Sequence, residues 1–166
     1  PQLFRNLGQG RFEEIIGGVG EALQQVMVAR GAAYGDLDND GDLDILVTSN
    51  GGAPKLLRND GGNANNLLRL KIVGVDSSRD GIGARVEVTT GSQTRWQVVK
   101  TGSSFASQSE LPLTFGLGDT MAVDAVRVIW PGGLIDEING IAANQFLIIE
   151  EGRGVLHTTP IVRGQG

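Results

Sequence analysis

The chain has 166 residues, of which 40% are hydrophobic and 20% charged, a composition typical of one folded domain or two small ones. Its net charge of −5 argues against nucleic acid or an anionic membrane as a partner. The chain has no cysteine, which excludes disulfides, thiolate catalysis and cysteine-bound zinc. No apolar run approaches the roughly 20 residues that span a bilayer, so membrane insertion is not expected.

The first residues, PQLFRN, do not resemble a signal peptide and are typical of the middle of a longer protein. We therefore expect any targeting segment to lie outside this sequence. The tetrapeptide LFRN at 3–6 recurs as LLRN at 56–59, and a polar, glycine-bearing turn follows each copy. Such an echo favours a repeated β unit.

Most of the chain consists of short segments with an apolar residue at every second position, separated by turns rich in glycine. This pattern predicts an all-β protein. One short helix is predicted within 20–27. The predicted strands cover 26–34, 44–49, 55–58, 67–75, 83–90, 94–101, 111–115, 123–130 and 145–151.

These elements predict two modules that meet near the asparagine-rich segment 61–66. Residues 1–62 would form one propeller-blade-like repeat, packed with a C-terminal β-sandwich or barrel-like module at 63–151. Residues 152–166 would form a tail or an edge strand. Because a lone blade leaves an exposed strand edge, we expect the tail to cover that edge. A second copy of the chain is the alternative, which would give a homo-oligomer.

The segment 36–44, DLDNDGDLD, places aspartates at alternate positions of a short loop between two predicted strands. Alternate carboxylates in a tight loop point to a common centre, and a hard divalent cation takes six to eight oxygen ligands at such a centre. Gly41 permits the sharp turn. We therefore predict a Ca²⁺ site with side-chain ligands Asp36, Asp38, Asp40 and Asp44, and with the backbone carbonyl of Asp42 as a further ligand.

A helix-flanked EF-hand loop shares the beginning of this pattern but needs an acidic residue at position twelve. Position twelve is Val47, within a predicted strand, so the EF-hand is rejected. The segment GAAYGDLDNDGDLDILVTSNGG (31–52) instead resembles the FG-GAP or VCBS calcium-binding repeat, the blade unit of integrin-like β-propellers. That resemblance implies the same aspartate ligands.

Four later motifs, RDGIGARVEV (79–88), GSSFASQ (102–108), FGLGD (115–119) and VRVIWPGG (126–133), resemble the ASPIC/UnbV domain. In cartilage-acidic-protein-like secreted proteins this domain follows repeats of the kind above. The resemblance implies a location outside the cell or in the cell envelope. It implies no defined activity.

Catalysis is not expected, because the chain has no cysteine and only one histidine, His157, near its end. The favoured function is a non-catalytic calcium-binding module for interaction or adhesion, with a protein or a glycan as partner. The alternative is an accessory domain of a secreted enzyme that acts on or binds glycans.

If the second module is an up-and-down meander, the loops after the strands at 67–75, 94–101 and 123–130 share one end of the sheet. Binding residues usually lie on such loops. This predicts a ligand surface at that end, formed by Arg79, Asp80, Ser107, Gln108 and Trp130. The favoured interpretation, however, is that these polar groups only tie the loops to each other, with Arg79, Asp80 and Arg85 in an ion-pair network.

Overall fold

The computed structural model of the chain describes residues 2–61 and 64–162. In these residues the protein is almost entirely β, with thirteen strands in four sheets and one helix of four residues. The predicted all-β class is therefore confirmed. The predicted module boundary between residues 62 and 63, and residues 163–166 of the predicted tail, lie outside the described residues.

The elements are numbered in chain order. Before the middle of the chain they are β1 Phe4–Gly8, β2 Arg11–Glu14, α1 Glu21–Gln24, β3 Ala29–Gly35, β4 Asp44–Ser49 and β5 Gly52–Leu57. After it they are β6 Asn66–Val73, β7 Arg85–Thr90, β8 Gln93–Val98, β9 Leu113–Gly118, β10 Ala122–Ile129, β11 Ile135–Ala142, β12 Gln145–Glu150 and β13 Gly154–Pro160.

Strands β6 to β13 form two four-stranded sheets. The β6 sheet has the order β13-β12-β6-β9, and the β7 sheet has the order β11-β10-β7-β8. Strands β6 and β12 pair in parallel, whereas β6 pairs with β9 and β7 with β10 in antiparallel fashion. Both sheets are open, so the sandwich is the correct one of the two predicted alternatives.

The predicted meander is wrong, because consecutive strands β6 and β7 belong to different sheets. Each of these strands has a row of apolar side chains that one sheet alone would leave exposed to water. Crossing from one sheet to the other lets the two rows face each other and bury both.

The hydrophobic core lies inside this sandwich. It is one cluster that draws on alternate positions of both sheets: Leu68, Leu70, Ile72, Ala84, Val86, Val88, Val99, Leu113, Phe115, Leu117, Val123, Val126, Val128, Trp130, Ile141, Leu147 and Ile149. Burial of one large aliphatic or aromatic side chain contributes about 1.5–3 kcal/mol before conformational entropy is counted. The sandwich therefore provides most of the apolar stabilisation in the part of the chain that the structure describes.

Strands β3, β4 and β5 form a separate antiparallel sheet, and β1 and β2 form a hairpin. Within residues 2–61, Val47 is the only buried large hydrophobic residue. Small isolated sheets are marginal in water without such a core. The three-stranded sheet must therefore depend on its contacts with the sandwich and on its polar interactions.

The loop of residues 104–110, which comes from the sandwich, covers the outer edge of β3. The backbone N–H groups of Ala32 and Tyr34 donate to Ser104 Oγ (3.3 Å) and Ser109 Oγ (3.2 Å), and Glu110 N donates to Tyr34 O (3.0 Å). We call these contacts, together with the Arg69–Asp36 ion pair described below, the module seam. The tail was expected to cover an edge of the blade, and this is wrong, because it forms β13, which pairs with β12. As the edge strand of the β6 sheet, β13 agrees with the edge-strand alternative for this segment.

Within the part of the chain that the structure describes, no helix is long and apolar enough to cross a membrane.

Candidate functional site

The acidic loop 36–44 joins the antiparallel strands β3 and β4, whose ends meet where Gly35 pairs with Asp44. Two of its residues have a left-handed backbone: Asn39 with φ 62° and Gly41 with φ 99°. Asparagine and glycine are the residues that adopt this conformation most readily. The sequence therefore permits the tight reversal that folds the loop back on itself.

Three carboxylates meet in this loop. One side-chain oxygen from each of Asp36, Asp38 and Asp40 lies within 4.8 Å of the others, and of the latter two Asp38 is exposed and Asp40 is half-buried. Like charges at this distance repel one another unless a cation or protons neutralise them. A donor set made only of carboxylate oxygens suits a hard cation such as Ca²⁺.

Asp36 is the most enclosed of the three, with 3% of its side chain exposed. Its Oδ2 atom accepts a hydrogen bond from Gly41 N (3.2 Å) and contacts the Arg69 guanidinium. Its Oδ1 atom is buried and has no hydrogen-bond partner among the described residues. Burial raises the pKa of Asp36, although Arg69 and the hydrogen bond from Gly41 N oppose the shift. A cation is the kind of partner that this oxygen lacks.

Arg69 connects the acidic loop to the sandwich. It projects from β6, is buried, and contacts both Asp36 and Glu110, with Nη2 lying 2.7 Å from Glu110 Oε2. That same Glu110 oxygen accepts a hydrogen bond from Asp36 N (3.3 Å). One buried arginine thus holds one carboxylate from each side of the module seam.

Asp44 and Asp42 are both buried, but Asp44 does not belong to the group of carboxylates within 4.8 Å. Asp44 Oδ2 accepts from Leu37 N (3.1 Å) and Oδ1 accepts from Asn59 N (2.9 Å), which closes the loop and ties it to the end of β5. The backbone N–H of Asp42 donates to Asp40 Oδ1 (3.0 Å).

The loop also packs against the sandwich through Gly41. A β-carbon at this position would lie 2.8 Å from Ile161 Cγ2 and 3.1 Å from Leu67 Cδ2. Glycine is therefore required here both for the backbone angle and for the close approach.

Val47, at position twelve of the loop pattern, lies buried in β4. Its place inside a paired strand agrees with the rejection of the EF-hand.

The three loops predicted to share one end of the second module begin close together. Gly83 N donates to Val99 O (2.8 Å), and a β-carbon on Gly83 would lie 3.2 Å from the Pro131 ring. The loop that follows β8 then extends away from this end, towards β3. Consequently the five predicted ligand residues do not form one surface.

Ser107 and Gln108 lie at the module seam. Ser107 Oγ donates to Phe105 O (2.9 Å) and faces Gly31, where a β-carbon would lie only 2.3 Å from it. The Gln108 side chain accepts from Gly102 N (3.0 Å) and donates to Ser109 O (2.7 Å). Both side chains thus shape the loop that covers β3.

The prediction that Trp130 belongs to a ligand surface is wrong, because Trp130 is buried in the core. Its indole N–H donates to Asp136 Oδ2 (2.7 Å).

Arg79 and Asp80 are exposed in the loop after β6, and no ion pair of the described residues includes them. The predicted network with Arg85 is not formed, since Arg85 pairs with Glu87 (2.9 Å).

Sequence reasoning missed Arg69 and Glu110. Successive side chains of a strand point to opposite faces of the sheet. Arg69 lies between Leu68 and Leu70, so the sequence places it on the outer, solvent-facing side of β6. Strand β6 is instead buried on both faces over Leu67–Leu70, and loop 36–44 packs against its outer face through Asp36 and Gly41. The available signal was an arginine flanked by leucines on both sides, at Leu67–Leu70, in a strand whose other charged residue, Lys71, is exposed.

Comparison with protein families matches residues 74–155 to the family described as ASPIC and UnbV. This ASPIC/UnbV domain begins just after β6, ends within the first residues of β13 and contains the four motifs quoted above. No match to an FG-GAP or VCBS repeat was found. Comparison with curated proteins gives no match.

Proposed function

We propose that this chain is a non-catalytic, calcium-binding interaction module in which an FG-GAP/VCBS-like repeat, residues 1–62, is locked to the ASPIC/UnbV domain. The observation that carries the proposal is the meeting of Asp36, Asp38 and Asp40 within 4.8 Å. Ca²⁺ would bind these three carboxylates, together with Asp44 and the backbone carbonyl of Asp42 as the sequence pattern predicts. The ion would supply neutralising charge and would hold the loop rigid.

The surroundings of the loop support a structural effect of the ion beyond the loop itself. The three-stranded sheet has little apolar core, and Asp36 is held by Arg69 from the sandwich. An ion that fixes Asp36 would therefore also fix the module seam. The proposed result is a stiff two-module surface for a protein or glycan partner.

The proposed location is outside the cell or in the cell envelope. Extracellular calcium modules bind with dissociation constants of about 10⁻⁴–10⁻³ M, which only millimolar calcium fills. A loop with three clustered carboxylates, one of them exposed, is a reasonable donor set for that range.

The proposal excludes catalysis by this chain. His157, the only imidazole, is exposed on the edge strand β13 and pairs along the backbone with Ile148. With no cysteine, a Cys–His pair cannot form, and His157 is the only imidazole that could serve a serine nucleophile as its base.

The test is thermal melting with calcium and with a chelator. At a hundredfold excess over the dissociation constant, one bound ion adds about 2.7 kcal/mol to the free energy of unfolding. The wild type should therefore melt at a higher temperature in calcium, and Asp38→Asn should lose this difference. Asp119→Asn, which changes an exposed aspartate elsewhere, should retain it. Equal melting temperatures of the wild type in calcium and chelator would contradict the proposal.

A further inference from the structure

A groove opens beside the module seam, where the three-stranded sheet meets β8 and the start of β9. Its volume is about 410 Å³, and its walls include Tyr34, Trp96, Gln97, Lys100, Glu110 and Leu113. Small-molecule sites usually occupy about 300–1,000 Å³ and prefer the boundary between domains. The groove has the size and the position of such a site.

Its two aromatic residues are unusual for this chain, which has only one tyrosine and two tryptophans. Trp130 is in the core, whereas Tyr34 is 43% exposed and Trp96 is 57% exposed. The only tyrosine and the only tryptophan outside the core therefore line the same groove. Each presents an apolar ring to water at a site where packing does not require it.

The Trp96 ring is held in place on one side. The Arg85 guanidinium carbon lies 4.5 Å from the ring centroid, and Arg85 is itself paired with Glu87. A ring fixed in this way loses little conformational freedom when a ligand packs on it.

The polar groups of the groove include one cation and one anion. Lys100 is exposed, and Glu110 is oriented by its ion pair with Arg69. Glu110 Oε1 is buried and has no hydrogen-bond partner among the described residues, so an ordered water is its natural partner. A ligand in the groove would thus find a donor at Lys100, and an acceptor at Glu110 reached through one bridging water.

We propose that this groove binds one ring of a neutral saccharide. A pyranose has an apolar C–H face that packs on an aromatic ring, and each of its hydroxyl groups can both donate and accept a hydrogen bond. This chemistry matches an aromatic pair combined with an ammonium and a carboxylate of cancelling charge. The proposal names a ligand class for the interaction module, and it does not require calcium in the loop.

The experiment uses ¹⁹F NMR on protein labelled with 5-fluorotryptophan, which gives one resonance for each tryptophan. The probes are methyl glycosides of glucose, galactose, mannose and N-acetylglucosamine at millimolar concentrations, added in calcium and in chelator. At least one glycoside should shift the Trp96 resonance saturably and leave the Trp130 resonance in place. Because Trp130 lies in the core, its resonance also reports whether each variant is folded.

Tyr34→Ala and Lys100→Ala should each weaken this binding, the tyrosine change by at least about tenfold. Lys100 is exposed, so its variant should fold even if the Tyr34 variant does not. Phe12→Ala, which removes an exposed ring from the β1–β2 hairpin, should bind like the wild type.

Three results would overturn the proposal: no glycoside shifts the Trp96 resonance, the shift survives both groove variants, or leucine and acetate at the same concentration shift the resonance as much as the glycosides do. The calcium proposal is tested separately by melting. A chain that binds a glycoside without responding to calcium would therefore refute only the calcium site.

Discussion

Arg69 of β6 and Asp36 of the acidic loop form a buried ion pair, with 7% and 3% of their side chains exposed. They are 33 positions apart in the sequence and lie on opposite sides of the module seam. A charge pair withdrawn from water in this way depends on both partners, because either one alone would be a buried charge without compensation. The pair therefore connects the state of the loop to the packing of the sandwich.

Replacement of Arg69 should destabilise the whole chain. In Arg69→Met the methionine keeps much of the apolar stem but leaves Asp36 and Glu110 without their cation. The expected loss is about 3–5 kcal/mol in the free energy of unfolding, measured by urea denaturation.

The matched control is Arg58→Met, which removes an arginine that is 62% exposed in its ion pair with the equally exposed Asp60. Exposed pairs are worth about 0–1 kcal/mol, so this variant should remain close to the wild type. Similar losses in the two variants would show that Arg69 does not have the structural role assigned to it.

Asp44 and Asp38 should differ when calcium is removed. Asp44 accepts hydrogen bonds from Leu37 N and Asn59 N, whereas Asp38 is exposed. In chelator, Asp44→Ala should lose at least about 1.5–3 kcal/mol, the contribution of one hydrogen bond to a charged group. Asp38→Ala should be unchanged or slightly more stable in chelator, because one repelling carboxylate has been removed.

Urea denaturation of both variants in chelator measures this difference. Equal stabilities of the two variants would mean that Asp44 does not close the loop in the absence of the ion.

Glu151 should make stability depend on pH. Burial raises the pKa of its carboxyl, but hydrogen bonds from the backbone of Ser77, Val75 and Asp76 and from the Ser77 hydroxyl lower it below its usual 4.5 overall. A carboxylate whose folded-state pKa is depressed stabilises the fold above its unfolded-state pKa. That contribution disappears as the pH falls through the folded-state pKa.

Glu151→Gln should therefore melt at a lower temperature than the wild type at neutral pH, and the gap should narrow as the pH is lowered below about 4.5. Glu137→Gln alters an exposed carboxylate paired with Arg127, so this variant should melt close to the wild-type temperature at neutral pH. If the difference in melting temperature between Glu151→Gln and the wild type stayed constant from neutral pH to about pH 3, the charge of the carboxylate would not be its cause.

The strands of the sandwich could largely be predicted from the sequence, because buried strands carry an apolar residue at every second position. Strand β11 was missed, since Asp136, Glu137 and Asn139 interrupt its pattern. It is an edge strand, and these polar side chains are tolerated there because one side of the strand faces water. Sheet order could not be predicted, because local pattern does not specify which strands become neighbours.

The acidic loop was predictable because its ligand spacing is local. Its link to the sandwich was not, because Arg69 and Glu110 are distant in sequence from Asp36 and from each other. Trp130 shows the opposite error: a tryptophan beside a glycine-rich loop was placed among the predicted ligand residues. Its apolar ring is better accommodated in the core, where Asp136 satisfies its N–H.

The most direct test of the central claim is a crystal structure of the chain grown in millimolar calcium, with anomalous scattering used to identify the ion. We expect one ion at the acidic loop, with metal–oxygen distances of about 2.3–2.6 Å. Its ligands should be the carboxylates of Asp36, Asp38, Asp40 and Asp44 and the backbone carbonyl of Asp42. The same crystals should show Arg69 still paired with Asp36 at the module seam. A loop without anomalous density at saturating calcium, or an ion bound only elsewhere on the chain, would contradict the account.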